Sequence, residues 1–466
     1  MEINIKNENL SVCSGVCRTK NNFTTETDVI VPDSKPDILK VLQLSARPKV
    51  TLCETRSGQV IISGTLTFNI LYLADDEEKC VKSITSSCEF SNLIKDSNIG
   101  DSMLTFVDVD VSDLSVNIAN CRKLTLRATL LASLRVYSQR NLELVSDIEG
   151  ACTKKNTLYS GTICASAQSN ASITDSFELS QGKSDIEEIL KTDAWVTDSE
   201  LKVIDDKAII KGNVRITVLY KSQDSLEYAQ TECSFAHVLE VDGIRSDMTN
   251  EYSVKLTDID AIVCTNEDGR NNVIELSCDL LLRVIARSRS EFECVVDAYI
   301  PHGALECSHC DISVEDIETV IHTSSDFKEK VNLPASCPPI GSIYQTIARP
   351  FVESCYTESG KIHISGYTEV YLLYLSSDEN SPVYSHKANI DFSAVCDSPG
   401  CMLTPVAEAQ LRNISYTINS EDCVEIRGSI DINVQCIRNT LAEVIYDASI
   451  GEYTPPERPS IIVSCV

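Results

Sequence analysis

Apolar and polar residues alternate in three corresponding segments of the chain. Residues 65–70 read Thr-Leu-Thr-Phe-Asn-Ile, so every second side chain is apolar. Val214, Ile216 and Val218 repeat this alternation, and residues 367–373 follow it less strictly. A period of two is typical of a strand with one buried face. The pattern therefore predicts three half-buried β-strands.

Each of these strands is preceded by an apolar triplet with helical spacing. Positions i, i+3 and i+4 share one face of an α-helix, and prolines or cap residues stand shortly before each triplet. The pattern predicts a short amphipathic helix at each of the three places. The triplets are Ile38/Val41/Leu42, Ile186/Ile189/Leu190 and Ile340/Ile343/Tyr344.

A glycine and then a tyrosine follow each triplet at a constant distance. The glycine comes 26 residues after the first triplet residue, and the tyrosine of a Leu-Tyr pair comes 8 residues after the glycine. These module-defining residues are Gly64 and Tyr72, Gly212 and Tyr220, and Gly366 and Tyr374. The glycines recur at intervals of 148 and 154 residues, far longer than a solenoid or propeller repeat of roughly 20–50 residues. We therefore expect three tandem domains rather than one enzyme fold.

The length of 466 residues agrees with about three domains. The predicted organisation is an N-terminal arm at 1–23 and modules at 24–150, 170–305 and 330–460, with linkers near 151–170 and 306–335. Strand-like patterns also fill 123–136, 273–285 and 423–437. The predicted fold class is mainly β, with three tandem β-sandwich or partly open barrel modules that each carry a short helix.

Polar segments follow the Leu-Tyr pairs and are predicted to form hairpin loops. They cover residues 75–78, 222–225 and 376–381. The acidic segment 75–78 lacks the spaced ligands and the glycine of a calcium loop, so a solvated turn is favoured over a calcium site.

The charge balance restricts the partners. The chain carries 40 Lys and Arg against 69 Asp and Glu, a net charge of −29, which repels phosphate backbones and anionic lipid surfaces. We expect no nucleic-acid partner. No stretch approaches the roughly 18 consecutive apolar residues of a membrane span. Residues 1–10 lack the features of a secretory signal, so synthesis in the cytosol is expected.

The 21 cysteines are unusual for a protein made in a reducing compartment. Cys307 and Cys310, with His302 nearby, form the only tight cluster. A second Cys-x-x-Cys pair at zinc-ribbon spacing is missing, and the context does not fit a thioredoxin-like motif. Free thiols are favoured at Cys307 and Cys310, a metal site is the weaker alternative, and no cofactor is expected.

Other cysteines lie near the chain ends. Cys13, Cys17 and Cys465 are candidates for disulfides between chains, with ordinary free thiols as the alternative. Cys53 and Cys355 each precede their glycine by 11 residues and are expected to be small apolar core residues.

Catalytic signatures are missing from the sequence. The six histidines lie in no nucleophile elbow, metalloprotease motif or phosphate loop, so no enzyme is predicted and no catalytic residue is assigned. The single tryptophan, Trp195, is expected to pack in a core or at a sheet edge rather than to serve as a ligand platform.

The first module resembles the SPOCS domain of spore-coat morphogenetic proteins in anaerobic spore formers. The resemblance lies in residues 27–39, Thr-Asp-Val-Ile-Val-Pro-Asp-Ser-Lys-Pro-Asp-Ile-Leu, and in the later Gly64 and Leu71-Tyr72. Tandem copies extend it over almost the entire chain. Residues 458–462 look like the junction at which many relatives begin a LysM domain that is implicated in engaging the coat's basement-layer ATPase. Because the sequence stops at Val466, that partnership is not carried over.

The resemblance implies a non-enzymatic protein made in the mother cell and deposited on the spore surface, in the coat, exosporium or an appendage. We expect self-assembly, in which edge strands or residues 3–16 pair with a neighbour's sheet and intermolecular disulfides could lock the contact. Head-to-tail contacts of this kind would give a filament. The alternative is a monomeric or dimeric adaptor that recruits other coat proteins. An enzyme or a ligand-binding protein that uses clefts between modules is less favoured.

Overall fold

The computed structural model describes residues 3–77, 79–223, 225–301, 304–378, 382–400 and 402–451. Within these ranges the chain forms strands and turns and no helix. Accordingly, no helix in the described part of the chain is long and apolar enough to cross a membrane. Glu78, Asp224 and residues 379–381, which belong to the predicted hairpin loops, lie outside the described residues.

Eighteen strands follow one another in three sets of six. They are β1 (Asn4–Ile30), β2 (Ile38–Arg56), β3 (Gln59–Ala74), β4 (Val81–Lys95), β5 (Leu104–Asn120), β6 (Lys123–Glu149), β7 (Cys152–Glu178), β8 (Glu188–Ile204), β9 (Lys207–Lys221), β10 (Leu226–Glu240), β11 (Thr249–Cys264), β12 (Val273–Tyr299), β13 (Ala304–Asn332), β14 (Ile340–Glu358), β15 (Lys361–Ser376), β16 (Val383–Asp397), β17 (Thr404–Ser420) and β18 (Cys423–Gly451).

Each set of six strands forms two three-stranded antiparallel sheets. In the first set the orders are β1-β6-β5 and β2-β3-β4, and the second and third sets repeat both orders. The two sheets of a set enclose one hydrophobic core. Leu66, Phe68 and Ile70 from β3 are fully buried in the first core, opposite Leu124 and Leu126 from β6. The prediction of three mainly β modules is confirmed, with the sandwich as the observed form.

The predicted helices are wrong, because bulged strands occupy these places. In β2 the register shifts between Ile38 and Lys40 and again between Val41 and Gln43, and β14 shifts at the two corresponding points. A bulge inserts one extra residue into a strand, so residues three apart can face the same side. Ile38 and Val41 therefore both reach the core of their module. Two bulges in a strand thus reproduce the spacing of a helical face.

The outer strands of each module are much longer than its core requires. Strands β1 and β6 run side by side from the pair Asn4 and Glu149 at one end to Ile30 and Lys123 at the other. The residues predicted as an N-terminal arm, from Asn4 onward, lie in β1. The segments predicted as linkers lie largely in β7 and β13, which pair along their length with β12 and β18.

The far ends of these long pairs form three two-stranded ribbons, which together we call the stalk. Strand β5 stops pairing with β6 at Tyr137, β11 stops at Arg287 and β17 stops at Ile437, so each ribbon continues without its third strand. The stalk consists of residues 4–14 with 138–149, 152–162 with 288–299, and 304–316 with 438–451.

Candidate functional site

The Leu-Tyr pairs face two different interiors. Successive side chains of a strand point to opposite faces of the sheet. Each tyrosine lies in the core of its own module, and each leucine lies in a separate cluster that joins the three modules. We call this second cluster the junction core. Its buried members are Leu71, Leu73, Val81, Leu190, Leu219, Tyr344, Leu373 and Val383.

The triplets divide in the same way. Ile340 and Ile343 lie in the core of the third module, whereas Tyr344 enters the junction core. The Tyr344 hydroxyl donates a hydrogen bond of 3.2 Å to the carbonyl of Thr217 in the second module. Leu42 and Leu190 take the corresponding places in the first and second modules. The repeated residues thus build both the modules and the contact between them.

The three motif tyrosines are buried, and their hydroxyls donate to nearby acceptors. Tyr72 donates to the Pro36 carbonyl at 3.1 Å, and Tyr374 donates to the Pro338 carbonyl at 2.7 Å. In the second module Tyr220 donates instead to Glu227 Oε2 at 3.3 Å. Burial raises the pKa of Tyr72 to about 12, so its hydroxyl keeps its proton and remains a donor at neutral pH.

The motif glycines lie beneath aromatic rings. Gly64 pairs directly with Phe90 on β4, and Gly212 and Gly366 pair with Phe235 and Phe392. A Cβ atom at Gly64 would come 2.6 Å from the Phe90 ring and would also overlap a backbone carbonyl of β2. The ring occupies the space that a side chain would need, which explains why glycine stands at this position in all three modules.

Charged side chains fix the first module against the second. Glu188 Oε2 accepts a hydrogen bond of 2.8 Å from Lys82 Nζ, and Glu188 Oε1 accepts one of 3.2 Å from Lys35 Nζ. Burial alone would raise the pKa of Glu188, but the two ammonium groups outweigh burial and lower it. On the same pair of modules, Arg283 Nη1 lies 3.2 Å from Asp108 Oδ2. The carboxylate of Glu188 therefore stays charged at neutral pH and holds both lysines.

Apolar residues from all three ribbons form the centre of the stalk. Corresponding positions of the three modules supply them. The junction core is supplied in the same way in the heads, by which we mean the parts of the modules outside the stalk. The buried members are Leu10, Val12, Leu144, Leu158, Phe292, Cys294, Ile312, Val314 and Val444. A second cluster contains Val145, Ile148, Val295, Ile445 and Ala448. The modules are thus joined at both ends, in an approximately threefold arrangement.

Each ribbon has two strand edges without a further strand partner within the described residues, one on each of its strands. In the stalk, residues 138–149, 288–299 and 438–451 have a strand partner on one side only. An open edge presents backbone N–H and C=O groups that can pair with another chain. The third ribbon also exposes large apolar side chains along this strand: Leu441 is 81% exposed, Tyr446 51% and Ile450 48%.

The other two ribbons are more polar at the corresponding positions. The register of the strands places Asn141 and Glu291 where the third ribbon has Leu441, and Ser146 and Val296 where it has Tyr446. On β12 the large exposed apolar residue of the stalk is Tyr299, at 62%. The exposed apolar side chains are therefore concentrated on β18. We take it as the candidate assembly surface.

The cysteines singled out from the sequence lie in different surroundings. Cys13 is 4% exposed in a cluster between the first two modules, and Cys17 is 8% exposed in the first core. Burial, with a hydrogen bond to Asp96, raises the pKa of the Cys17 thiol to about 11, so little reactive thiolate forms at neutral pH. Cross-linking between chains through either thiol would require the fold to open. Cys465 lies outside the described residues.

Cys307 and Cys310 lie on β13 in the stalk and are both half-buried. Cys307 packs at the second stalk cluster and Cys310 at the first, so the two thiols serve different clusters. His302 lies outside the described residues. Among the residues that the structure describes, no group of three His, Cys, Asp or Glu side chains could hold a metal ion.

One acidic residue is buried at the base of the stalk. Asp316 is 2% exposed, and Arg289 Nε of the second module lies 2.9 Å from its Oδ2. Burial raises the pKa of Asp316, because the attraction of Arg289 only partly offsets the loss of water; Glu318 raises it further and Arg438 lowers it. This carboxyl therefore contributes most to stability when protonated, and that contribution is lost as pH rises through its folded pKa.

We expect Asp316→Asn to unfold at a higher temperature than the parent at pH 7, and this difference to vanish as pH falls through the ordinary range of aspartate near pH 4. Thermal unfolding of both proteins between pH 3 and pH 8 measures this difference in unfolding temperature. Asp311→Asn, at an exposed position of the same strand, is the control. A variant less stable than the parent at pH 7 would mean that the ion pair with Arg289 outweighs the burial of the charge.

The stalk and its open edge were not predicted from the sequence. A usable signal exists, because Leu10, Leu158 and Ile312 stand at corresponding positions of the three ribbons. This signal is weak because other corresponding positions vary in residue type, and because the packing partners of these residues lie on ribbons about 150 residues apart.

Comparison with known proteins shows one match, repeated three times. The family model described as SipL, SPOCS domain, matches residues 37–119, 185–263 and 339–419. Each matched segment covers the middle four strands of a module, β2–β5 in the first, and leaves out the long outer strands that form the stalk. No curated protein and no solved structure matches the chain significantly.

Proposed function

Because the chain belongs to the SipL SPOCS-domain family, which is associated with sporulation and spore-coat proteins, we propose that it is a structural protein of the spore envelope. It acts without catalysis, in the coat, the exosporium or a spore appendage. It is made in the mother-cell cytoplasm and deposited on the spore surface. Its partners are other copies of itself and other envelope proteins.

The observation that supports self-assembly is the open apolar edge of β18 in the stalk. Residues 438–451 offer unpaired backbone groups next to Leu441, Tyr446 and Ile450. Pairing with a strand of a second copy would satisfy these groups, and each backbone hydrogen bond would contribute about 1 kcal/mol net. Covering a large apolar side chain would add roughly 1.5–3 kcal/mol.

The concentration of exposed apolar side chains on the third ribbon determines the kind of assembly. Since β18 carries most of them, the contact joins this edge either to the same edge of a second copy or to a different surface. Contacts between different surfaces do not close on themselves unless the rotation forms a ring, and they generate filaments. The net charge of −29 opposes association, so salt should promote assembly by screening it.

Disulfides between exposed thiols of two copies would make such contacts covalent. Cys152 is exposed in the stalk, at the pair that it forms with Tyr299. A disulfide between Cys152 residues of two copies would form with loss of two protons and two electrons, which dissolved oxygen or a small-molecule disulfide would take up. Cys13 and Cys17 are buried and serve this role less well.

Negative-stain electron microscopy and sedimentation of the purified chain test the proposal. We expect filaments or sheets from the parent under oxidising conditions. The double variant Leu441→Lys with Tyr446→Lys should give small particles, because two charges on the edge repel a second copy. Ile204→Lys is the matched control, because Ile204 is 48% exposed in the head, as Ile450 is in the stalk, and it should assemble like the parent.

Discrete small particles of the parent under every condition would contradict self-assembly and favour the adaptor function. Assembly of the double variant at the parental level would exclude the β18 edge as the contact. Reductant and Cys152→Ser test the disulfide separately, with Cys121→Ser, at an exposed thiol in the head, as the control. If the covalent dimers on a non-reducing gel survive Cys152→Ser, another thiol forms the lock.

A further inference from the structure

The contacts between modules are built from corresponding positions, but their side chains differ. Between the first and second modules, Lys49 Nζ lies 3.4 Å from Asp279 Oδ2 and 3.8 Å from Asp258 Oδ2. The strand register places Asp198 of the second module where the first module has Lys49, so the lysine bridge has no counterpart there. At this second contact the structure contains a cleft of ≈ 680 Å³.

The cleft is mainly apolar and lies where all three modules meet. Trp195 from β8 lines it together with Ile347 and Phe351 from β14 and Leu411 from β17. Corresponding positions in the first and third modules carry Arg47 and Arg349 in place of Trp195. A volume of this size is within the range of sites for small molecules, about 300–1,000 Å³. Of the three corresponding positions, the one that lines the cleft with an indole ring is therefore that of the second module.

The cleft also contains one cation without an anionic partner. Arg215 and Arg412 line it, but Glu232 and Asp431 form ion pairs with them. Arg349 donates to the Val111 carbonyl at 3.3 Å, and no carboxylate among the described residues lies within ion-pair distance of it. Of the acids in the lining, Asp110 is bound by Lys255, and Asp198 is exposed to water.

We propose that this cleft binds a small aromatic carboxylate. The aromatic ring packs against Trp195, and the carboxylate accepts hydrogen bonds from Arg349. Flat rings stack favourably on tryptophan, and a guanidinium recognises a carboxylate through two parallel donors. This site is independent of self-assembly, because the β18 edge lies on the stalk and none of its residues lines the cleft.

Fluorescence of the intact chain tests the proposal directly, since Trp195 is the only tryptophan. The probe is 4-bromobenzoate, whose heavy atom quenches a ring that it touches. We expect saturable quenching with a Kd at or below about 1 mM, the range for a ligand of this size. The amide 4-bromobenzamide has the same ring without the charge, and it should bind about tenfold more weakly.

Variants distinguish binding in the cleft from quenching by random collision. Arg349→Gln should weaken 4-bromobenzoate about tenfold and leave 4-bromobenzamide unchanged. Arg47→Gln, at the corresponding position of the first module and outside the cleft, should bind like the parent. Quenching that rises linearly with either probe, or carboxylate binding that Arg349→Gln leaves intact, would overturn the proposal. Calorimetric titration confirms that quenching reports binding.

Discussion

Gly366→Ala is expected to destabilise the third module by about 3 kcal/mol and to lower its unfolding temperature by roughly 10 °C. The added methyl group would overlap the carbonyl oxygen of Phe351 on β14 and would lie 2.9 Å from the ring of Phe392 on β16. Backbone atoms of a central sheet cannot move aside without breaking strand pairs. The loss of stability is therefore larger than that usually caused by adding or removing a methyl group on a strand.

Differential scanning calorimetry measures this effect, with Gly100→Ala as the control. A Cβ atom at Gly100 would meet only the end of the flexible Met103 side chain, at 3.0 Å, so that variant should unfold close to the parent. Gly64→Ala and Gly212→Ala should behave like Gly366→Ala. In each variant the added methyl group would meet a backbone carbonyl of the neighbouring strand, β2 or β8, and an aromatic ring. Parental stability in all three would contradict the close packing of glycine against ring.

Leu219→Ala is expected to cost about 3 kcal/mol and, in addition, to uncouple the unfolding of the modules. Leu219 is completely buried in the junction core, where residues of all three modules meet. Removing its side chain leaves a cavity between modules and leaves the core of the second module complete. The modules should then unfold in separate steps, because the contact that makes their unfolding cooperative is weakened.

Leu280→Ala is the matched comparison. Leu280 is equally buried, but it lies in the core of the second module. Both variants lose the same side chain, so they should show similar total loss of stability and differ in the shape of the transition. A single sharp transition in Leu219→Ala, at the temperature of Leu280→Ala, would show that the junction core does not control cooperativity.

The sequence was sufficient to predict three mainly β modules. The alternation around Phe68 and the constant spacing of Gly64 and Tyr72 were enough, because both reflect pairing between strands that are close in sequence. The helices were wrong for a local reason. The spacing of Ile38 and Val41 fits a helical face and a twice-bulged strand equally well, and only the partner strand β3 decides between them.

The open edge of β18 and the cleft at Trp195 show where sequence reasoning stopped. The open edge at Leu441 follows from the absence of a third strand beyond Ile437, and this depends on where β17 begins. From the sequence, Trp195 is expected to be an ordinary packing residue, because Arg349 and Leu411, which line the cleft with it, belong to another module. No pattern within a few residues of Trp195 indicates those neighbours.

By itself, the sequence determined the repeated module, its strand content and its resemblance to SPOCS domains, since these depend on side-chain periodicity and on residues with fixed spacing. The tertiary structure decided that the modules share a junction core and a stalk, that Cys13 and Cys17 are buried, and that one ribbon has an apolar edge. These features arise from contacts between residues about 150 positions apart, and burial in such contacts is a property of the packed chain rather than of any segment.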